Sequence, residues 1–469
     1  MSYIVGFEVI MHHLSLAYFF IDGHVLRGTF HRGMINLINL EKKMAYFKEL
    51  EQAHGAKRFE MVANGMQVIL MPNAIAPVAG FQVTYHVGSR NEGVGHTGAT
   101  HLLEHLMFKG SKNFNKEKNN NIDQLENVGA ILNATTWLDR TNYFEVLPKA
   151  HLEKAIAIEA DRMRHAFIAE EDRQAEMTVV RNEFERDENS PMSALHKNMW
   201  STAYVAHPYH HNTIGWLSDI ENVSIERLKA FYDTFYWPNN ATVTVVGDFE
   251  ETAVLDLIQK YFGHISRSAH EIPEVYTTEP KQDGPKRLVV KRSGSPGIVA
   301  VAFKTPKGLD EAHLHMQLIS GVLQMGKSSR LYKRLVAKGL ALSLYAEDYP
   351  NIDEGLLVLY ASLTPKATHE EVEAIILEEI EKIKSKTIPV AELERVKAMI
   401  EADQVYQRGS FFSSLNQVNE AIALKDWRYY LDLPEKMAKI SGEAIQITAK
   451  KYLDEDQSTT GYFVPKEGV

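Results

Sequence analysis

The feature that most constrains this chain is a repeat. Residues 225 to 250 read as a helix, then Phe235-Tyr236-Trp237-Pro238-Asn239-Asn240, then a strand over 241 to 246, then Gly247-Asp248. Residues 441 to 465 run in the same order: a helix, Lys451-Tyr452-Leu453-Asp454, then the strand-like Thr459-Thr460-Gly461-Tyr462-Phe463-Val464. The starts of the halves also correspond. Met66-Gln67-Val68-Ile69-Leu70 and Phe81-Gln82-Val83-Thr84-Tyr85 are strands by alternation and β-branching. Arg287-Leu288-Val289-Val290 and Gly297-Ile298-Val299-Ala300-Val301-Ala302-Phe303 take their places in the second half. Two halves that echo each other predict two like domains. Antiparallel-type strands mixed with long helices put both in the α+β class. Residues 266 to 285, polar and broken by prolines and a glycine, read as the linker.

The first half carries the candidate chemistry. In His101-Leu102-Leu103-Glu104-His105 the histidines are four apart and the glutamate is three from the first, so on a helix all three share a face. Two neutral imidazoles and a carboxylate are what a hydrolytic zinc site needs, and the HxxEH order occurs among zinc peptidases. A pattern this short also arises by accident, so context decides. Leu102, Leu103, Leu106, Met107 and Phe108 make the segment an apolar helix, where unpartnered histidines would be costly. Thr97 and Gly98 supply its start. A third ligand must come from another element. Residues 170 to 189 read as a charged helix ended by Ser190-Pro191. Glu176 and Glu183 lie two turns apart on one face of it, and Val179 and Val180 between them mark a buried part. Glu171, Asp172, Glu185, Asp187 and Glu188 read as its solvated face.

Taken together these stretches resemble the M16 family of zinc metallopeptidases (pitrilysin, insulin-degrading enzyme and mitochondrial processing peptidase), in its short, zinc-bearing form. The family's ligand glutamate follows HxxEH after a spacer that the His105-to-Glu183 interval fits, and Glu176 matches its second glutamate. Val87-Gly88-Ser89-Arg90-Asn91-Glu92, Phe108-Lys109-Gly110-Ser111, His207-Pro208-Tyr209 and Trp237-Pro238-Asn239-Asn240 also match, and the resemblance spans about residues 58 to 469. It implies two homologous M16-type (LuxS/MPP-like metallohydrolase) domains facing each other around a cleft. Residues 58–265 would form the catalytic zinc domain and 286–469 a domain lacking the metal motif, with 1–57 an extension to which no function is assigned. It also implies a metalloendopeptidase with one Zn2+ per chain, held by His101, His105 and Glu183, with the fourth position left for water. Glu104 would act as base, Glu176 would orient a histidine ligand, and Asn133-Ala134-Thr135-Thr136 would form an edge strand that pairs with bound peptide.

The chain departs from the family in one respect. M16 enzymes hold substrate with an arginine and a tyrosine seven apart in the second half. Aligned on Gly339-Leu340-Ala341, those positions hold Leu335 and Leu342, and Arg330, Arg334 and Tyr345 nearby do not make the pair. The resemblance then implies a heterodimer whose paralogous M16 subunit supplies the pair, with a homodimer as the alternative. A non-catalytic core-protein-like subunit is a competing reading, but such members usually lose ligands that this chain keeps. A zinc hydrolase of non-peptide amides is another. Other polar clusters read as structural: His96 as a loop residue, His207, His210 and His211 as a turn, and Trp200, Trp216 and Trp427 as core.

Composition sets the outer limits. With 45% hydrophobic and 24% charged residues the chain reads as an ordinary globular protein. A formal charge of −10 disfavours nucleic acid as a partner. Without cysteine, disulfides are excluded and any metal site must use histidine and carboxylate. The partly apolar first 29 residues are interrupted by Glu8, His12, His13, Asp22 and His24, and no basic residue precedes them. They make a poor signal peptide and a poor membrane span, and Met34 and Met44 are alternative starts. The expectation is a soluble, bacterial-type protein of the cytoplasm or periplasm, between which the sequence does not choose.

Overall fold

The computed structural model describes residues 46 to 466 apart from 119 and 121, preceded only by the backbone of two short paired strands, β1 (Phe20–Ile21) and β2 (His24–Val25). Most of the expected N-terminal extension therefore lies outside the described residues.

Two sheets carry the repeat. The first contains β3 (Phe47–Ala53), β4 (Ala56–Met61), β5 (Gln67–Pro72), β6 (Val78–Tyr85), β7 (Ile131–Thr136), β8 (Thr141–Pro148) and β9 (Ala241–Gly247). Its spatial order is β3-β4-β5-β9-β6-β8-β7. The second contains β10 (Lys286–Arg292), β11 (Ile298–Lys304), β12 (Ala341–Asp348), β13 (Leu356–Leu363) and β14 (Ser458–Pro465), in the order β10-β14-β11-β13-β12. Five strands of each sheet correspond one to one. In both, the first pairs in parallel with the last and every other contact is antiparallel. The expected α+β class and two-domain plan hold.

The first domain begins earlier than Arg58. Phe47 is buried in its core, and β3 and β4 form a hairpin turned at His54-Gly55, both with positive φ. The hairpin was missed because β3 reads Lys48-Glu49-Leu50-Glu51-Gln52, a charged outermost strand with one buried side chain, and charge is how exposed strand edges are kept from pairing. The linker holds no helix or strand, yet it is pinned: Glu279 accepts from the backbone N–H groups of Val205, Ala206 and His207.

Each domain lends a helix to the other's sheet. Helix Pro191–Ala203 buries Ala194, Leu195, Met199 and Trp200 against Val290, Ile298 and Ala300 of the second sheet. Helix Phe411–Ala423 buries Leu415 against Phe144 and Val246, and Val418 and Ile422 against Ile69, on the first sheet. At Gly80 of β6 a side-chain carbon would stand 2.7 Å from Leu415, so the helix seats directly on the strand. This exchange fixes the domains against each other and leaves a cleft of about 360 Å³ between them, which His101, Glu183 and Tyr345 help to line.

Candidate metal centre and active site

The motif segment is a helix, Ala99–Leu106, with its leucines in the core. It starts at Gly98, whose φ of 84° suits glycine and where any side chain would collide with the Ile214 carbonyl. Two carboxylates anchor that start. Glu92 accepts from the N–H groups of Gly98 (2.8 Å) and Thr100 (2.7 Å), and Asp219 from the N–H and hydroxyl of Thr97. Free helix N-termini expose N–H donors, and a carboxylate there is doubly favoured. Burial pushes the Glu92 carboxyl up to about 8, against the pull of those hydrogen bonds. Neither anchor was found from sequence, because Asp219 is remote in the chain and nothing local marks Glu92 as a cap.

The second helix, Glu170–Glu188, packs against the first and buries Glu176 and Val180, while Val179 is exposed, so only one of the two valines marks the buried face. It brings Glu183 Oε2 to 3.7 Å from His101 Nε2 and 3.8 Å from His105 Nε2. Zinc bonds near 2.1 Å in a tetrahedron put ligand atoms about 3.4 Å apart, so this triangle fits such an ion. The donor chemistry agrees: Glu183 Oε2 is buried without a hydrogen-bond partner, and burial together with His105 lowers His101 to about 3, which keeps its imidazole neutral. Among the described residues these three are the one group of histidine and carboxylate atoms placed to hold a metal.

The other two glutamates sit around the triangle. Glu176 accepts from His105 Nδ1 at 2.9 Å and pairs with Lys109. Burial opposes its ionisation, but Lys109 and His105 outweigh that and hold it below the usual carboxylate range. A carboxylate on the second nitrogen of a ligand histidine fixes its tautomer and orientation. Glu104 is buried on the same helix and accepts from Thr136 Oγ1 at 2.5 Å. Burial raises its carboxyl above the usual range, against Thr136, His105 and Arg140.

The expected edge strand is β7, which among the described residues pairs only with β8. Its residues divide in role. Asn133 is exposed and its Oδ1 accepts from the Ala134 N–H, whereas Thr135 bonds Arg140 and Asn142, and Thr136 bonds Glu104. The second domain's edge strand, β12, lines the same cleft with Tyr345 and Glu347, and Tyr349 follows it. Glu347 is buried against His196 at 3.1 Å. Alternation alone does not show that two edges from different domains meet.

At the family's arginine–tyrosine positions this chain has leucines, and among the described residues no arginine lines the cleft. Leu335 is fully buried in the second core, and Leu342 sits at a register irregularity of β12. Arg330 is bonded to Glu392 and Arg334 to Glu378 and Glu379. The decoys take structural places. His96 closes a loop on the Gly93 N–H, and His207 accepts from the Tyr209 N–H and meets Asp353 at 3.1 Å. His210 and His211 bond backbone carbonyls, Trp200 and Trp427 are buried, and Trp216 is half-buried.

Comparison with known proteins places this arrangement. Residues 67–215 match the insulinase (peptidase family M16) domain and residues 222–400 the peptidase M16 inactive domain. A zinc protease of Helicobacter pylori, PqqE, is 34% identical over 414 residues, covering 86% of this chain and 91% of that protein. The crystal structure of a protease from Helicobacter pylori superposes with a TM-score of 0.82 at 31% identity, over 87% of this chain and 99% of that one. Pitrilysin shares the fold (TM-score 0.73, 17% identity), with 90% of this chain covering 47% of pitrilysin. No described helix is long and apolar enough to cross a membrane. The chain belongs to peptidase family M16.

Proposed function

We propose that the chain is a zinc-dependent endopeptidase that hydrolyses peptide bonds in unfolded or short peptides, as the zinc-bearing subunit of a heterodimer. The observation that carries this reading is the triangle of His101, His105 and Glu183 with Glu104 beside it on the motif helix. When bound there, zinc supplies Lewis acidity that polarises the scissile carbonyl and activates water. His101, His105 and Glu183 hold the ion, and Glu176 orients His105. Glu104 takes the proton of the attacking water and delivers it to the leaving amine. The outer edge of β7 has no strand partner among the described residues, which suits an extended peptide aligned by main-chain pairing, a mode that tolerates many sequences.

The test is peptide cleavage by wild type and Glu104→Gln, with and without chelator, with metal content measured. Loss of a general base predicts a fall of about 10²–10⁴-fold with zinc retained. Bound zinc and equal cleavage by the two proteins would defeat the mechanism. A non-catalytic subunit would be recognised by wild type that holds no zinc and cleaves nothing.

The heterodimer rests on Leu335 and Leu342 and on the engagement of Arg330 and Arg334 elsewhere. A paralogous subunit is expected to co-purify and to be required for activity. Full activity from this chain alone would sink the heterodimer and leave the chemistry standing.

A further inference from the structure

Thr136 is the hydrogen-bond donor to Glu104 among the described residues, and it lies at the end of an edge strand held from one side only. Such a strand shifts more readily than one paired on both sides, so what braces it bears on the glutamate. Arg140 supplies the brace. It sits in the tight turn between β7 and β8, where its carbonyl accepts from the Trp137 N–H at 2.9 Å. Its Nη1 donates to the Thr135 carbonyl (3.0 Å), the Thr135 hydroxyl (2.5 Å) and Asn142 Oδ1 (3.2 Å). Its Nε and Nη2 both donate to Glu420 Oε1, at 3.1 and 2.5 Å.

Glu420 belongs to helix Phe411–Ala423 of the second domain. That helix is keyed to the first sheet by buried polar groups as well as by Leu415. Thr84 Oγ1 donates to Asn419 Oδ1 at 2.8 Å, Gln82 Nε2 to the Leu415 carbonyl at 3.4 Å, and Asn142 Nδ2 to Gln82 Oε1 at 3.2 Å. A continuous chain of hydrogen bonds thus runs from the second domain to the strand that holds Glu104. Arg140 is only 8% exposed, and among the described residues Glu420 is the one carboxylate bonded to it. Without Glu420 the guanidinium would be a buried unpaired cation, which is unstable, and it would turn to water and release Thr135.

Resting on the reading that Glu104 is the proton carrier, we infer that Arg140 and Glu420 are positioning residues through which the metal-free second domain holds the Thr136–Glu104 contact in register. Glu420, on the domain matched as inactive, would then contribute to turnover through Arg140 rather than through a contact of its own with substrate.

The experiment compares Glu420→Leu, Glu420→Gln, Thr136→Val and Thr136→Ser with wild type and Glu104→Gln, in the assembly that cleaves peptide. It reads kcat, KM, zinc content, melting temperature, and hydrogen exchange over residues 131–136. Displacing a catalytic group by under an ångström predicts a kcat loss of about five- to a hundredfold for Glu420→Leu and Thr136→Val, with zinc content unchanged and the loss falling more on kcat than on KM. Exchange in β7 should quicken in Glu420→Leu. Glu420→Gln, which still accepts from Arg140, and Thr136→Ser, which still donates, should recover most of kcat. Full kcat and unaltered exchange in Glu420→Leu would overturn the inference, as would a kcat loss that merely follows zinc loss. An active Glu104→Gln would remove the underlying reading instead. An inactive Glu104→Gln beside a fully active Glu420→Leu would remove only this inference.

Discussion

The two domains share one strand order, yet among the described residues only the first brings three metal-ligand donors together. Where the first has helix Ala99–Leu106, the second has Glu311–Gln324, packed in the same way against an edge strand and a long charged helix, here Val390–Arg408. The second helix even carries two buried histidines. They are two apart, about 200° around the helix, so they point in different directions. His315 Nδ1 meets Thr448 at 2.7 Å, and His313 Nε2 lies 3.7 Å from Asp348. Among the described residues no third donor stands with them, and Glu392 of the facing helix is bonded to Arg330. Sheet order follows from apolar strands that many residue choices satisfy, whereas a metal site needs donors at one helical spacing and a carboxylate opposite. One scaffold therefore persists while the donor cluster stands in one copy and, among the described residues, not in the other.

The sharpest way to break that contrast is to count zinc in paired variants. His105→Ala should abolish stoichiometric zinc, because two protein ligands fall short of the three that hold a catalytic zinc. Glu176→Ala leaves the three ligands but removes the acceptor on His105, and should weaken zinc affinity about 10–100-fold. The matching change in the second domain, His313→Leu with His315→Leu, should leave zinc content unaltered. Metal loss in that double variant would show that the second helix takes part in binding, and the contrast would fail.

The repeated sheets were legible in the sequence from strand alternation and the recurring element order, and the meeting of His101, His105 and Glu183 from short spacings, four between His101 and His105 and seven between Glu176 and Glu183. What stayed hidden depends on contacts between distant residues. Thr136 read as a peptide-binding position, and its bond to Glu104 needs the end of β7 to meet the motif helix. Arg140 and Glu420 are 280 positions apart, and neither has a local mark. The β3–β4 hairpin was lost for a different reason: a charged edge strand has no alternation to read. The missing arginine–tyrosine pair was visible in the sequence, but only the structure shows Leu335 as core, where an arginine would be a buried charge.

The exchange of helices offers a smaller and more symmetrical test. Leu195 and Leu415 are both fully buried, each on a helix seated on the other domain's sheet. Truncation of such a leucine to alanine costs about 2–5 kcal/mol. Leu195→Ala and Leu415→Ala should therefore destabilise by similar amounts, and denaturant unfolding should stay one cooperative transition in both. If either variant unfolds in two steps, one domain survives without the other's helix, and the exchange is not reciprocal in energy.

The smallest expected effect lies at an unmatched contact, where the domains are joined by charge. Asp353, between β12 and β13, pairs with Arg90 of the first domain and with Lys307 at 3.0 Å, and accepts from His207 at 3.1 Å. Burial opposes its ionisation, but His207, Lys307 and Arg90 outweigh that and hold it well below the usual carboxylate range. A carboxyl held low contributes stability that is fully present above its unfolded pKa, about 3.9, and is lost as pH falls toward its folded value. Asp353→Asn should thus cost about 1–3 kcal/mol at neutral pH, the range for stranding a partly buried donor. The gap from wild type should stay nearly constant down to about pH 4 and narrow below it, as the unfolded chain takes up a proton that the folded carboxyl still refuses. Chemical denaturation at pH 7, 5 and 3 would measure this. A gap that persists unchanged at pH 3 would mean that shape rather than charge joins the domains there, leaving the exchanged helices as the main tie between the halves.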